Sequence, residues 1–192
     1  MSREKIRCSW CLRSPEEIHY HDTEWGVPLY DDAKLFEFMV LDAFQAGLSW
    51  TTVLRKRENF RKAFDGFNAE KIARYSEKKI GKLLTDKGII RNRLKVLAAV
   101  TNAQKYLEVR NREKSFSDYL WKFVDGKPVV NQWKTKQVPA STKESDAMSK
   151  ALIKDGFKFA GTTICYAFMQ AAGMVNDHAE NCFRRAEILK NR

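Results

Sequence analysis

Apolar residues between Asp31 and Asn176 recur three or four apart, and almost nowhere at alternate positions. That period belongs to the α-helix, so the chain is expected to be all-α. Caps and glycines cut the pattern into short helices rather than one long coil. Asp31 or Asp32 opens the first, which runs to about Ala46 with Leu35, Phe36, Phe38, Met39 and Leu41 inward. Gly47 interrupts it, and Ser49 caps a second carrying Val53, Leu54, Phe60 and Phe64 up to Gly66. Asn68 and Ser76 start two shorter helices, the latter with Ile80, Leu83 and Leu84, and Gly88 stands where a left-handed C-terminal cap belongs. A longer helix covers about Ile90 to Arg110 with Leu94, Leu97, Val100 and Leu107 in period. Ser115 with Asp118, and Ser141 with Glu144, have the spacing of capping boxes. Residues 125–128 read as a turn and 129–140 as an irregular or extended crossing. An uncharged helix runs from Gly161 to Asn176.

A chain of 192 residues fits one domain. The Gly161–Asn176 stretch is shorter than the about 20 apolar residues a membrane helix needs. The opening MSREKIRCSW has charge but no apolar run, so it is not a signal peptide. A cytoplasmic protein is expected, and nothing calls for a protein partner, so a monomer is expected. Its 35 Lys and Arg against 24 Asp and Glu leave a net charge of +11, the electrostatic footprint of a nucleic-acid binder. These charges form no tail, so folding must assemble any basic face.

The four cysteines are Cys8, Cys11, Cys165 and Cys182, and a reducing compartment favours metal ligands or core positions over disulfides. Cys and His concentrate at the two ends: Cys8, Cys11, His19 and His21 at one, His178 and Cys182 at the other. Two cysteines and two histidines drawn from both ends would make a closed tetrahedral site of the structural zinc type. Cys8 with Cys11, and Cys8 with His21, are both open as the N-terminal pair. The alternative is that these are ordinary core residues.

Asp42 lies four after Phe38 and seven after Leu35, on the apolar face of its helix. A carboxylate there is costly unless paired. It either accepts backbone N–H groups from a neighbouring helix start or faces a pocket. Trp10, Tyr20, Trp25, Phe44 and Trp50 cluster in the same half of the chain. Together with an inward carboxylate they can line a slot for a flat, cationic ring, held by stacking and cation–π attraction. Residues 83–95, LLTDKGIIRNRLK, read as helix, glycine turn, helix. Free N–H groups at the second helix start, with Arg91 or Arg93 beside them, suit a DNA phosphate.

The segments RCSW, YHDTEWGVP, QAGLSWTTVLRKRENF, KGIIRNRLK and STKESDAMSKALIKDGFKFAGTTICYAFMQAAGMVNDH, with the following Cys182, resemble the bacterial DNA-3-methyladenine glycosylase I family. The likeness runs in register from Cys8 to Cys182. It implies the helix-hairpin-helix glycosylase fold, two helical lobes in one domain spanning 1–192. It also implies hydrolysis of the N-glycosidic bond of 3-methyladenine in alkylated double-stranded DNA. Carried over, the family's structural zinc ligands fall on Cys8, His21, His178 and Cys182. Its base pocket falls on Tyr20, Asp42 and Trp50, with Trp10 and Trp25 nearby. The chain departs from the family at Asp42, where Glu is usual, and at Ala43 and Phe44.

The expected enzyme flips its target base out of the duplex. Leu48, at a helix junction, either wedges into the vacated stack or is a core leucine at a helix start. Gly88 and Arg91 are expected at the DNA backbone. N3-methylation makes the base a cationic leaving group, so no lysine nucleophile is called for and a monofunctional hydrolase is expected. The rival reading is a zinc-stapled module that binds damaged DNA without releasing a base.

Overall fold

The computed structural model describes residues 5–133 and 138–190. The first four residues of the N-terminal segment and the middle of the 129–140 crossing lie outside it. Among the described residues the architecture is helical, as the period requires. A 3-10 turn, Ser9–Arg13, leads into α1 (Pro15–Thr23), α2 (Asp32–Gln45), α3 (Trp50–Ala63), α4 (Ala69–Ile72) and α5 (Glu77–Thr85). Then come α6 (Arg93–Arg112), α7 (Phe116–Trp121), α8 (Lys143–Lys154), α9 (Thr162–Ala171) and α10 (Phe183–Lys190). Two short strands, β1 (Val129–Val130) and β2 (Val175–Asn176), pair in parallel. None of these helices is long and apolar enough to cross a membrane.

The caps mostly stand where the sequence places them. Asp31, Ser49, Asn68, Ser76 and Ser115 each accept the backbone N–H three residues on. Asp32 does a different job: its carboxylate accepts from Phe116 N at 3.0 Å and Ser117 N at 2.8 Å. It therefore satisfies the start of α7 from across the core. The α8 box is one residue later than read, with Thr142 and Ser145 as the pair.

Helix α2 is buried on nearly every side and packs against α3, α6, α7 and α9. Phe44 meets Phe60 at 4.7 Å between ring centroids, and Phe36 meets Tyr106 at 4.9 Å. The stripe of α6 that faces this core is Val96, Ala99, Ala103 and Tyr106. Leu94 is 71% exposed, contrary to the sequence reading. Small alanines let α6 approach α2 closely, so size misled the choice of face. The helix also begins three residues later, capped by Asn92.

Gly88 is not a left-handed cap, since its backbone is not among those with positive φ. Asp86 instead turns the chain, its Oδ1 accepting Gly88 N at 2.7 Å. A Cβ at Gly88 would lie 2.9 Å from that oxygen, so a larger residue here would have to displace the Asp86 carboxylate. Helix α9 stops at Ala171, short of the expected end, because Gly173 turns at φ 65°. A Cβ there would fall 2.3 Å from the Val27 carbonyl carbon. The 26–29 segment thus lies directly on the end of α9, with Gly26 N bonded to Gln170 O and Leu29 N to Ala172 O.

Candidate active site and metal centre

The chain ends meet. Cys8 opens the first 3-10 turn, His21 sits on α1, His178 follows β2 and Cys182 precedes α10. One ligand atom from each lies within 4.8 Å of all the others, and all four residues are buried. Cys182 Sγ is 3.4 Å from His21 Nε2 and 3.5 Å from His178 Nδ1, while Cys8 Sγ is 3.6 Å from His178 Nδ1. Each imidazole is oriented through its other nitrogen. His21 Nδ1 faces Asp22 Oδ1 at 2.8 Å, and His178 Nε2 faces the Trp25 carbonyl at 3.0 Å. Arg7 holds Asp22 in turn at 2.8 Å. This is how protein metal ligands are aimed. The Cys8 thiol is pushed up by the sulfur of Cys182, so both become thiolates together only around a cation. The cluster can therefore hold a metal ion. Cys11 stands apart, its thiol donating to the Cys8 carbonyl, and His19 is exposed. Gly26 is required beside this centre, because a Cβ would lie 2.8 Å from His178 Nε2.

One wall of the metal centre is also a wall of a cavity of about 400 Å³. Trp10, Tyr20, Trp25, Asp42 and Trp50 line it, as read from the sequence; Phe44, read as a fifth aromatic of the slot, instead packs in the core against Phe60 and Phe64. Trp10 and Trp25 pack edge to face at 5.0 Å, and Tyr20 and Trp50 lie 5.3 Å apart. Arg57 holds these walls in place, bonding Glu24 at 2.7 Å and Glu37 at 2.7 Å. It thereby ties α3 to α2 and to the chain after α1.

Three buried polar atoms here lack a partner among the described residues: Trp10 Nε1, Trp50 Nε1 and Asp42 Oδ2. Asp42 is 5% exposed, and burial pushes its carboxyl well above the usual carboxylate range. Of its two sequence readings, the unpartnered Oδ2 favours the pocket. Unsatisfied buried groups cost free energy and are kept where a ligand satisfies them. Tyr20 is likewise pushed upward, first by burial and then by Asp42, and keeps its proton.

Gln45, Gln170 and Asp177 also line the cavity, and sequence reasoning missed them as site residues. The signal was available in the quoted FMQAAGMVNDH stretch, where Gln170 lies one helical turn from Tyr166. Away from the cavity, Leu48 is 41% exposed between α2 and α3, and Arg91 is exposed in the α5–α6 turn. Gly88 lies in the same turn, its carbonyl accepting from Lys56 Nζ at 3.2 Å. Lys95, buried on α6, donates to Phe44 O at 2.8 Å and Ala46 O at 2.5 Å. It satisfies the end of α2 and ties the hairpin to the Leu48 junction. The structure brings the metal and pocket groups each together; it does not bring Leu48, Gly88 or Arg91 into the cavity.

Residues 10–185 match the methyladenine glycosylase family model. The chain belongs to the methyladenine glycosylase family. It is 51% identical over 177 residues to DNA-3-methyladenine glycosylase 1 of Escherichia coli, covering 92% of this chain and 95% of that one. It is 48% identical over 177 residues to the DNA-3-methyladenine glycosylase of Haemophilus influenzae, covering 92% and 96%. Its fold matches a tyrosine-to-phenylalanine variant of 3-methyladenine DNA glycosylase I solved in complex with 3-methyladenine, with TM-score 0.89 and 35% identity. That match covers 93% of this chain and 97% of the other. Within the methyladenine glycosylase family, α10 lies largely beyond the matched residues; here Ile188 reaches Gly26, and Arg185 donates to the His178 carbonyl at 2.9 Å.

Proposed function

We propose that this chain is a monofunctional DNA glycosylase that releases 3-methyladenine from alkylated double-stranded DNA by hydrolysing its N-glycosidic bond. The observation that carries this reading is the aromatic cavity with its unpartnered Asp42 oxygen and two free indole N–H groups. Such a slot suits a flat ring with polar edges, and the relatives are glycosylases of that base.

A flipped base enters the cavity and stacks on Trp50 beside Tyr20. Methylation at N3 makes it cationic while it is joined to the sugar. Bond cleavage sends the electron pair to the base, which leaves neutral, so no strong acid is needed. The sugar cation is then captured by water, whose proton passes to solvent. Asp42 accepts from the exocyclic amine through Oδ2.

In this reading Leu48 fills the gap in the stack, and Gly88 and Arg91 meet the backbone in a helix-hairpin-helix grip. Two sulfurs and two imidazole nitrogens are a donor set that Zn²⁺ takes, and four protein ligands leave no open position. The zinc we assign to Cys8, His21, His178 and Cys182 is structural and takes no part in the reaction. Its contribution is to tie the chain ends beside the pocket.

Chromatography of bases freed from methylated duplex DNA tests the reading. Release of 3-methyladenine is expected. A folded, metal-loaded protein that binds such DNA and frees nothing would instead be a damage-binding module.

Asp42→Asn should lower single-turnover release by about tenfold, the worth of one hydrogen bond, leaving clear activity. Complete loss would make Asp42 an essential base. The same variant should melt above the wild type at neutral pH. Because the folded pKa is raised, Asp42 costs nothing below its unfolded pKa of about 3.9, and its cost grows as pH rises above that. The gap between the two melting curves should therefore close as pH falls toward about 4. A gap independent of pH would contradict a carboxyl whose pKa burial raises.

Binding should weaken with salt. Arg91→Ala should flatten the slope of log K against log salt by about 1 if its guanidinium meets a phosphate.

A further inference from the structure

Asp177 accepts four hydrogen bonds at the rim of the cavity. Asn131 Nδ2 and Trp133 Nε1 reach Oδ1 at 2.7 and 3.1 Å. The Tyr166 hydroxyl and Gln170 Nε2 reach Oδ2 at 2.6 and 2.8 Å. An indole N–H and a phenol beside a carboxylate are donors, so Asp177 works wholly as an acceptor. This settles the one ambiguity that an amide side chain carries. Gln170 must turn its NH₂ toward Asp177, because its carbonyl oxygen has nothing to accept there. That oxygen has no partner among the described residues, and Gln170 lines the cavity.

We infer that Gln170, its amide locked by Asp177, presents a fixed carbonyl acceptor to the cavity and selects purines that carry an amine at C6 over those that carry a keto oxygen there. The inference rests on the cavity being the base site. An amine donates to this oxygen. A keto group opposes one acceptor to another, leaving both unpaired away from water, which is an effective way to reject an analogue. Among N3-methylated purines the two cases are 3-methyladenine and 3-methylguanine. Gln170 is then a specificity-determining residue and Asp177 a positioning residue that acts through it.

Duplex DNA treated with a methylating agent contains both purines, so one digest reads both. Gln170→Met keeps the volume and removes the acceptor. It should lower the ratio of 3-methyladenine to 3-methylguanine release by roughly tenfold. Asp177→Asn should move the ratio the same way, because the freed amide can turn its NH₂ toward a keto oxygen. The free bases provide a second readout: quenching of tryptophan fluorescence should show the same loss of preference in Gln170→Met. A purely structural role would lower both bases alike and leave the ratio unchanged, which would overturn the inference. Release of neither base by the wild type would overturn the glycosylase reading itself, a distinct result.

Discussion

Stripping the metal, or replacing Cys182 with serine, should cost about 5 kcal/mol of stability and lower the melting temperature by roughly 10–20 °C. Structural zinc contributes about 10–16 kcal/mol in peptides that have no other core. Here Cys8 and Cys182 border a large core that also holds Phe36, Phe44, Phe60 and Tyr106, and most of that core should survive the ion's loss. What is released is the packing of the two chain ends, from Cys8 through α1 on one side and from His178 through α10 on the other. The site places two thiols against each other, and without an ion they must share protons. Metal analysis should find one zinc per chain in the wild type and none in Cys182→Ser. A melting curve indifferent to a chelator would overturn the assignment. Because thiolates and neutral imidazoles are the ligands, affinity should fall steeply in acid.

Trp50→Ala should reduce single-turnover base release by about 10- to 100-fold, the worth of stacking one base on an aromatic ring. Trp50 stands at the first turn of α3, half-buried, in contact with Tyr20 at 5.3 Å between ring centroids. Its unpartnered indole N–H offers a second contribution. Trp50→Phe separates the two, since it keeps a ring and deletes the donor. We expect the phenylalanine variant to retain most of the activity. If it fell as far as the alanine variant, the indole N–H rather than the stack would carry the effect. Phe44→Ala gives the contrasting pattern. It should cost about 3–5 kcal/mol of stability, because Phe44 is fully buried against Phe60 and Phe64 and stands away from the cavity.

Caps and period made most of the helices readable, since Ser49, Asn68 and Ser76 act within three residues of their own position. Helix α1 was not read, because its nine residues carry no repeating apolar stripe and its inward groups are Glu17, Tyr20 and His21. Helix α10, with four charges in eight residues, offers little period to read, yet it buries Ile188 and Arg185, the latter on the His178 carbonyl. The burial of Lys95 was invisible because its partners are carbonyls at the end of α2. The pairing of β1 with β2 joins segments too short to show a strand period. At the site, Asp42 was legible because a carboxylate on an apolar stripe is costly, and the aromatic walls because of their number. The ligand pairing was open from spacing alone; the resemblance chose His21 over Cys11, and the fold brings His21 to the cluster. Asp177 and Gln170 depend on an amide orientation that only tertiary contacts determine.

The lesions this family repairs are made by methylating electrophiles, and such reagents attack the most nucleophilic group they reach. In proteins that group is the thiolate. All four cysteines of the chain are buried. Cys8 and Cys182, which a metal would hold as thiolates, are 4% and 2% exposed, and burial pushes Cys165 up to about 12, keeping it a poorly reactive thiol. The fold thus keeps every thiol of the chain out of direct reach of methylating reagents in solution.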